Sequence, residues 1–219
     1  MDPRDVLERP APPADETRRY GEHPDQVIDF RGAGPLVVFV HGGFWRPEYD
    51  RAHAGPLSAG LAEAGFTVAT IEYRRTGWEG SSADVRAALA SLDEPRVVIG
   101  HSAGGHLALL FSPVPVLALA PVTDLPRAYE LDLDGGAVRD FLGGSPAGLP
   151  DVYAAAEPSR PATLIHGTLD EQVPVELSRA YAARTGSRLV ELPDTEHFGL
   201  IDPLSAAWPS VLSELRALL

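Results

Sequence analysis

Short runs of apolar, β-branched residues recur along the chain from Val27 onward, separated by Ala-, Leu- and Glu-rich stretches that repeat at helical period. Leu36 to Val40, Phe66 to Glu72, Arg96 to Gly100, Val114 to Ala120, Ala162 to His166 and Arg188 to Leu192 read as strands. The intervening segments 53 to 64, 81 to 92, 103 to 111, 174 to 185 and 204 to 218 read as helices. The strands are apolar throughout rather than alternating, as a sheet covered on both faces requires, and strand-helix alternation implies right-handed crossovers. The expected fold class is therefore α/β, a doubly wound, mostly parallel sheet with helices on both faces. Residues 1 to 26, opening with the Pro-rich Arg9 to Pro13, read as an irregular arm ahead of a single domain over 27 to 219. Within that domain Pro121 to Ser159 keeps no sustained period and reads as a small lid-like insertion of short helix and loop.

Composition narrows the chemistry. A length of 219 residues suits one domain, and 44% apolar with 22% charged residues is the balance of an ordinary globular protein. The net charge of -13 disfavours nucleic acid and anionic membranes as partners and by itself names none; the expected partner, a small-molecule substrate, follows from the motifs below. Oligomeric state is not legible. The absence of cysteine removes disulfides, thiolate metal sites and a cysteine nucleophile together. Neither a signal-peptide core nor an apolar run of ~18 residues is found, so the expected location is cytoplasmic.

In such a sheet the chemistry belongs just past the carboxyl ends of the strands. After Arg96 to Ile99 comes Gly100-His101-Ser102-Ala103-Gly104, a G-x-S-x-G pattern running into a helix, the arrangement that lifts a serine Oγ out of the sheet as nucleophile. After Leu36 to Val40 comes His41-Gly42-Gly43-Phe44-Trp45, where the N–H groups of Gly43 and Phe44, joined by that of Ala103, suit an oxyanion hole. His41 itself reads as a structural hydrogen-bonding residue, and His101 as buried support on the opposite side of the elbow. Past Ala162 to Ile165 stands Asp170, the acid that would orient an imidazole, with Glu171 and Asp194 as rivals. Of the seven histidines only His197 follows Asp170, and the order serine, acid, histidine marks it as general base. Phe44, Trp45 and Phe198 are expected to line the substrate pocket, with Trp78 a weaker candidate. No H-E-x-x-H, G-x-G-x-x-G or P-loop pattern is present, so neither a metal nor an organic cofactor is expected.

These motifs together resemble the α/β-hydrolase superfamily over roughly residues 27 to 218. The His41 to Trp45 loop and Gly100 to Gly105 look most like the esterase branch that includes kynurenine formamidase and hormone-sensitive-lipase-like carboxylesterases. Tyr20 to Gln26 is similar to that group's lead-in to its first strands. Phe44 stands where a third glycine often does in the lipase-like branch. The resemblance implies attack of Ser102, deprotonated by His197, on an ester or aryl formamide carbonyl to form an acyl-enzyme. An exopeptidase similar to the prolyl-oligopeptidase group, and a binding protein that keeps the fold without catalysis, are the competing readings.

Overall fold

The computed structural model describes residues 4–219; Met1 to Pro3, the start of the predicted arm, lie outside the described residues. Eight strands form one sheet: β1 (Glu16–Arg19), β2 (Val27–Arg31), β3 (Leu36–Val40), β4 (Thr67–Ile71), β5 (Val97–His101), β6 (Val116–Leu119), β7 (Thr163–Gly167) and β8 (Arg188–Leu192). Their order across the sheet is β1-β2-β4-β3-β5-β6-β7-β8. The pairs β1–β2 and β2–β4 are antiparallel, and every pairing from β4 to β8 is parallel. The helices are α1 (Asp5–Glu8), α2 (Gly55–Glu63), α3 (Trp78–Ala90), α4 (Ala103–Phe111), α5 (Leu125–Glu130), α6 (Ala137–Leu142), α7 (Pro150–Ala156), α8 (Val175–Thr185) and α9 (Trp208–Ala217).

The two-residue period of a strand divides each apolar run between two cores. Val38 and Val40 of β3 join Val98, Ala118 and Leu164 in a core shared with Val85 of α3, Leu107 of α4 and Tyr181 of α8. Val37 and Phe39 point the other way, joining Ile99, Leu117 and Ile165 with Leu57 and Leu61 of α2 and Val211 and Leu215 of α9. Each fully buried aliphatic side chain of this kind contributes roughly 1.5–3 kcal/mol. From β3 the chain proceeds to β4 on one side and then to β5 on the other. That reversal opens a crevice at the carboxyl ends of β3 and β5, where an open α/β sheet binds its ligands.

The N-terminal segment departs from the irregular arm expected of it. Val6 of α1 is buried, Arg9 makes paired hydrogen bonds to Asp202 at 2.5 and 2.9 Å, and Glu16 to Arg19 add an edge strand. All four β1 side chains are exposed and none is apolar, so the strand is held by backbone pairing with a Thr17–Asp29 hydrogen bond and Arg18 over the Phe30 ring, and no hydrophobic pattern announces it. Its charged side chains are also what an exposed sheet edge needs to resist pairing with another chain. The segment 121 to 159 forms α5, α6 and α7, with Asp124 capping α5 by accepting from the Arg127 N–H at 2.8 Å. The last helix starts at Trp208 rather than 204, with Pro209 in its first turn. Among the described residues no helix is long and apolar enough to cross a membrane.

Candidate active site

Ser102 stands between β5 and α4 with φ 55 and ψ −120, a conformation a non-glycine residue adopts only under constraint. The constraint is visible. Its N–H donates to Leu119 O at 2.9 Å, and its carbonyl accepts from His106 N at 3.1 Å and Val122 N at 3.3 Å. A side chain at Gly104 would collide with the carbonyl oxygens of Val40 and His41, and one at Gly42 would sit 2.9 Å from His101 O and 3.0 Å from Ser102 Cβ. Gly42 and Gly104, one from each motif, are therefore contact requirements where the β3 loop and the serine turn pass each other.

Asp170 and His197 meet on the opposite flank. His197 Nδ1 donates to Asp170 Oδ2 at 2.6 Å, and the aspartate side chain is fully buried. The other carboxylate oxygen, Oδ1, accepts from the N–H groups of Gln172 and Val173, both at 2.8 Å. His166 Nε2 lies 3.2 Å from Oδ2 and 2.9 Å from Val173 O, while its Nδ1 meets Ser178 Oγ at 2.7 Å. Burial alone would push the Asp170 carboxyl up. Hydrogen bonds from His166 and His197, the His197 charge and the Val173 N–H outweigh it and hold the group well below the ordinary carboxylate range. Glu196 accepts from the Phe198 and Gly199 N–H groups and so caps the 3₁₀ turn His197–Ile201 that presents the imidazole. Asp194 and Glu171 are exposed, and neither is bonded to His197.

Ser102 and His197 line one cavity of about 260 Å³, together with Gly43, Phe44, His53, His101 and Phe198. Among the described residues the Ser102 hydroxyl makes no hydrogen bond to His197, although both side chains line the same cavity. Among the described residues the N–H groups of Gly43, Phe44 and Ala103 are given to no protein acceptor, which leaves three donors around the serine. Ala103 is also the first residue of α4, where the helix dipole favours developing negative charge.

Several predicted positions differ from expectation. His101 is buried, but it does not point away from the site: its ring packs 4.4 Å from that of His197, and its Nε2 donates to His197 O at 3.2 Å. Burial and the nearby His197 charge hold His101 well below the ordinary imidazole range, so it serves as a neutral donor. Phe44 and Phe198 reach the cavity, whereas Trp45 does not. With φ 57 it turns inward, is 3% exposed, and stacks on Phe141 of α6 at 4.3 Å. Trp78 packs in the same aromatic group, against Phe111 and Phe141. The N-terminal wall of the cavity carries no motif that would announce it. Arg4 and Leu7 line the cavity beside Tyr49 and Gln172, with the Arg4 guanidinium 5.9 Å from the Phe198 ring centre. Arg46 hydrogen-bonds Asp134 and Asp140, tying the β3 loop to the segment before and within α6.

With this geometry in hand, comparison with known proteins places the fold. A family model described as BD-FAE matches residues 29–114. The probable carboxylic ester hydrolase LipM of Mycobacterium tuberculosis is 28% identical over 85% of this chain and 54% of its own length. The chain thus spans about half the length of that relative. A phosphonate-inhibited esterase B of Lactobacillus rhamnosis superposes with TM-score 0.74 at 20% identity, over 99% of this chain and 89% of the other. The HSL-homolog EstE7 from a metagenome library does so with TM-score 0.72 at 20% identity, over 100% and 98%. The fold is that of the α/β-hydrolases, as the motifs implied.

Proposed function

We propose that this chain is a serine hydrolase that cleaves small carboxylic esters through an acyl-enzyme on Ser102, with His197 as general base and Asp170 as the acid that orients it. The observation that carries the reading is the 2.6 Å contact of Asp170 with His197, whose ring opens into the same cavity as the strained Ser102. The esterase names of the relative and of the neighbours support it.

His197 Nε2 takes the Ser102 proton as Oγ bonds to the substrate carbonyl carbon. The carbonyl oxygen becomes an oxyanion facing the N–H groups of Gly43, Phe44 and Ala103. Collapse breaks the ester C–O bond, and the imidazolium protonates the departing alkoxide. Water, giving its proton to His197, then attacks the acyl carbon; the acid leaves and Ser102 regains its proton. A cavity of about 260 Å³ between Phe44 and Phe198 suits short acyl and alcohol groups, with Arg4 and Leu7 of the N-terminal segment in its wall and Asp134 as the contribution of the segment 121 to 159. Aryl formamides, suggested by the resemblance of the His41 to Trp45 loop, would pass through the same steps with an arylamine leaving.

Turnover of p-nitrophenyl butyrate beside a Ser102→Ala variant tests the assignment. The variant is expected to lose all but background activity, and undiminished turnover removes Ser102 as nucleophile. Release of kynurenine from N-formylkynurenine tests the formamide reading, and no release leaves the ester reading alone.

A further inference from the structure

Beneath the β3 loop lies a second buried carboxylate and imidazole pair. His41, fully buried at the end of β3, has Nδ1 2.8 Å from the Gly42 carbonyl oxygen and Nε2 3.1 Å from Glu72 Oε1. Both partners are acceptors only. A neutral imidazole donates from one nitrogen, so satisfying both contacts requires a proton on each. The surroundings suit a cation. The Tyr73 ring stacks on His41 at 4.6 Å with 21° between planes, and its hydroxyl donates to His41 O at 3.0 Å. Glu72, 1% exposed, also accepts from the Arg51 N–H at 2.8 Å, the Tyr73 N–H at 3.0 Å and the Arg75 guanidinium. Burial would raise the Glu72 carboxyl, yet His41, Arg51 and Arg75 bring it down to about 2. His53, edge-on to His41 at 5.3 Å, is pushed down to about 4, by burial first and by repulsion between the two rings second.

The peptide between Gly42 and Gly43 is trans, so its C=O and N–H point in opposite directions. With the carbonyl turned onto His41, the Gly43 N–H is turned away from it, and Gly43 lines the Ser102 cavity. We propose that His41 is an imidazolium held by Glu72, and that it acts as a positioning residue for the oxyanion site by gripping the Gly42 carbonyl and thereby aiming and polarising the Gly43 N–H. A hydrogen bond accepted by a peptide carbonyl from a charged donor strengthens the donation made by that peptide's own N–H. The dipole is set before substrate arrives, the condition under which such donors assist most. This role rests on the reading of the loop as the oxyanion-binding element.

The first test is independent of turnover. In protein labelled with ¹⁵N-histidine, the His41 signals, assigned by their loss in His41→Gln, are expected to show both ring nitrogens protonated at neutral pH. A bare ring nitrogen overturns the proposal. In the second test Glu72→Gln keeps the shape of the side chain and removes the charge. For p-nitrophenyl butyrate kcat is expected to fall roughly 10- to 100-fold, less than the loss of a whole oxyanion donor, with KM within about twofold. A folded Glu72→Gln with wild-type kcat overturns the role in catalysis, and if the variant fails to fold the ¹⁵N spectrum of the wild-type protein decides. Activity surviving in Ser102→Ala would defeat the hydrolase mechanism and leave the His41 spectrum standing. Activity lost in Ser102→Ala but kept in Glu72→Gln would defeat this inference alone.

Discussion

Two carboxylate and imidazole pairs flank Ser102, and they differ in what their second nitrogen does. In Asp170–His197 the carboxylate takes Nδ1 and, among the described residues, Nε2 is bonded to no protein group while the ring lines the cavity. In Glu72–His41 both nitrogens are engaged and the ring has no access to solvent. An imidazole with one uncommitted nitrogen facing substrate is able to pick up and release a proton. One with both nitrogens bonded to acceptors can only hold its charge. The same two functional groups thus supply a mobile proton on one flank and a fixed dipole on the other, and access to the cavity decides which.

The largest expected break in that comparison comes from Asp170→Asn. The asparagine oxygen is able to keep the bonds to the Gln172 and Val173 N–H groups, which turns its NH₂ toward His197 Nδ1 and His166 Nε2. Nδ1 must then accept, the ring proton moves to Nε2, and the nitrogen facing Ser102 is no longer a base. On p-nitrophenyl butyrate kcat is expected to fall by roughly 10⁴ in a folded protein. A loss below tenfold would mean that another acid orients His197.

Acid unfolding sharpens the comparison from the stability side, where the two pairs should behave alike. Both carboxyls titrate below their ordinary values in the folded protein. A carboxyl depressed by folding adds stability that is complete above its ordinary value and is lost as pH falls through its folded one. For Glu72 that window runs from the ordinary 4.5 down to about 2. Urea unfolding across this range is expected to show wild-type stability falling with pH, with the fall reduced in Glu72→Gln and, toward the acid end, in Asp170→Asn. An unchanged slope in Glu72→Gln would show that its carboxylate is not held by the folded structure.

Much of the architecture was readable along the chain because buried parallel strands advertise themselves as continuous apolar runs. Leu36–Val40 and Arg188–Leu192 occur as expected, and β4 to β7 lie within two residues of the expected bounds. Ser102, Asp170 and His197 each stand past a strand end, and chain order in this sheet fixes which strand ends can meet; the structure bonds His197 to Asp170 and puts His197 and Ser102 on one cavity. What could not be read depends on contacts across space or on backbone pairing. The β1 strand is held by main-chain bonds under exposed polar side chains, which leave no pattern. The packing of His101 on His197 joins residues 96 apart, and Glu72 looked only like the last residue of a strand. Its signal was faint but present: an acidic residue closing the apolar run Thr67 to Ile71 needs a buried partner, and the histidine closing the neighbouring parallel strand stands level with it. Phe44 and Trp45 both lie near the site mouth along the chain, and a positive φ at both residues sends the two rings to different places.

The smallest expected effect belongs to Asp194→Asn, which separates nearness in sequence from coupling in space. Asp194 lies three residues before His197, nearer along the chain than Asp170, and it too follows a strand. It is nevertheless exposed, in a turn with φ 55, and the His197 Nδ1 that an orienting acid must reach is already bonded to Asp170. Asparagine is among the residues that best tolerate positive φ, so the turn itself should survive the exchange. A surface carboxylate at that distance acts on His197 through water and salt, where its field is strongly screened. Both kcat and the unfolding midpoint are therefore expected to stay close to wild type, kcat within about twofold, when measured beside Asp170→Asn under one set of conditions. A large loss in Asp194→Asn would move the orienting role from the buried acid to the exposed one, and with it the claim that burial in a hydrogen-bonded site is what makes a carboxylate an effective partner for the base.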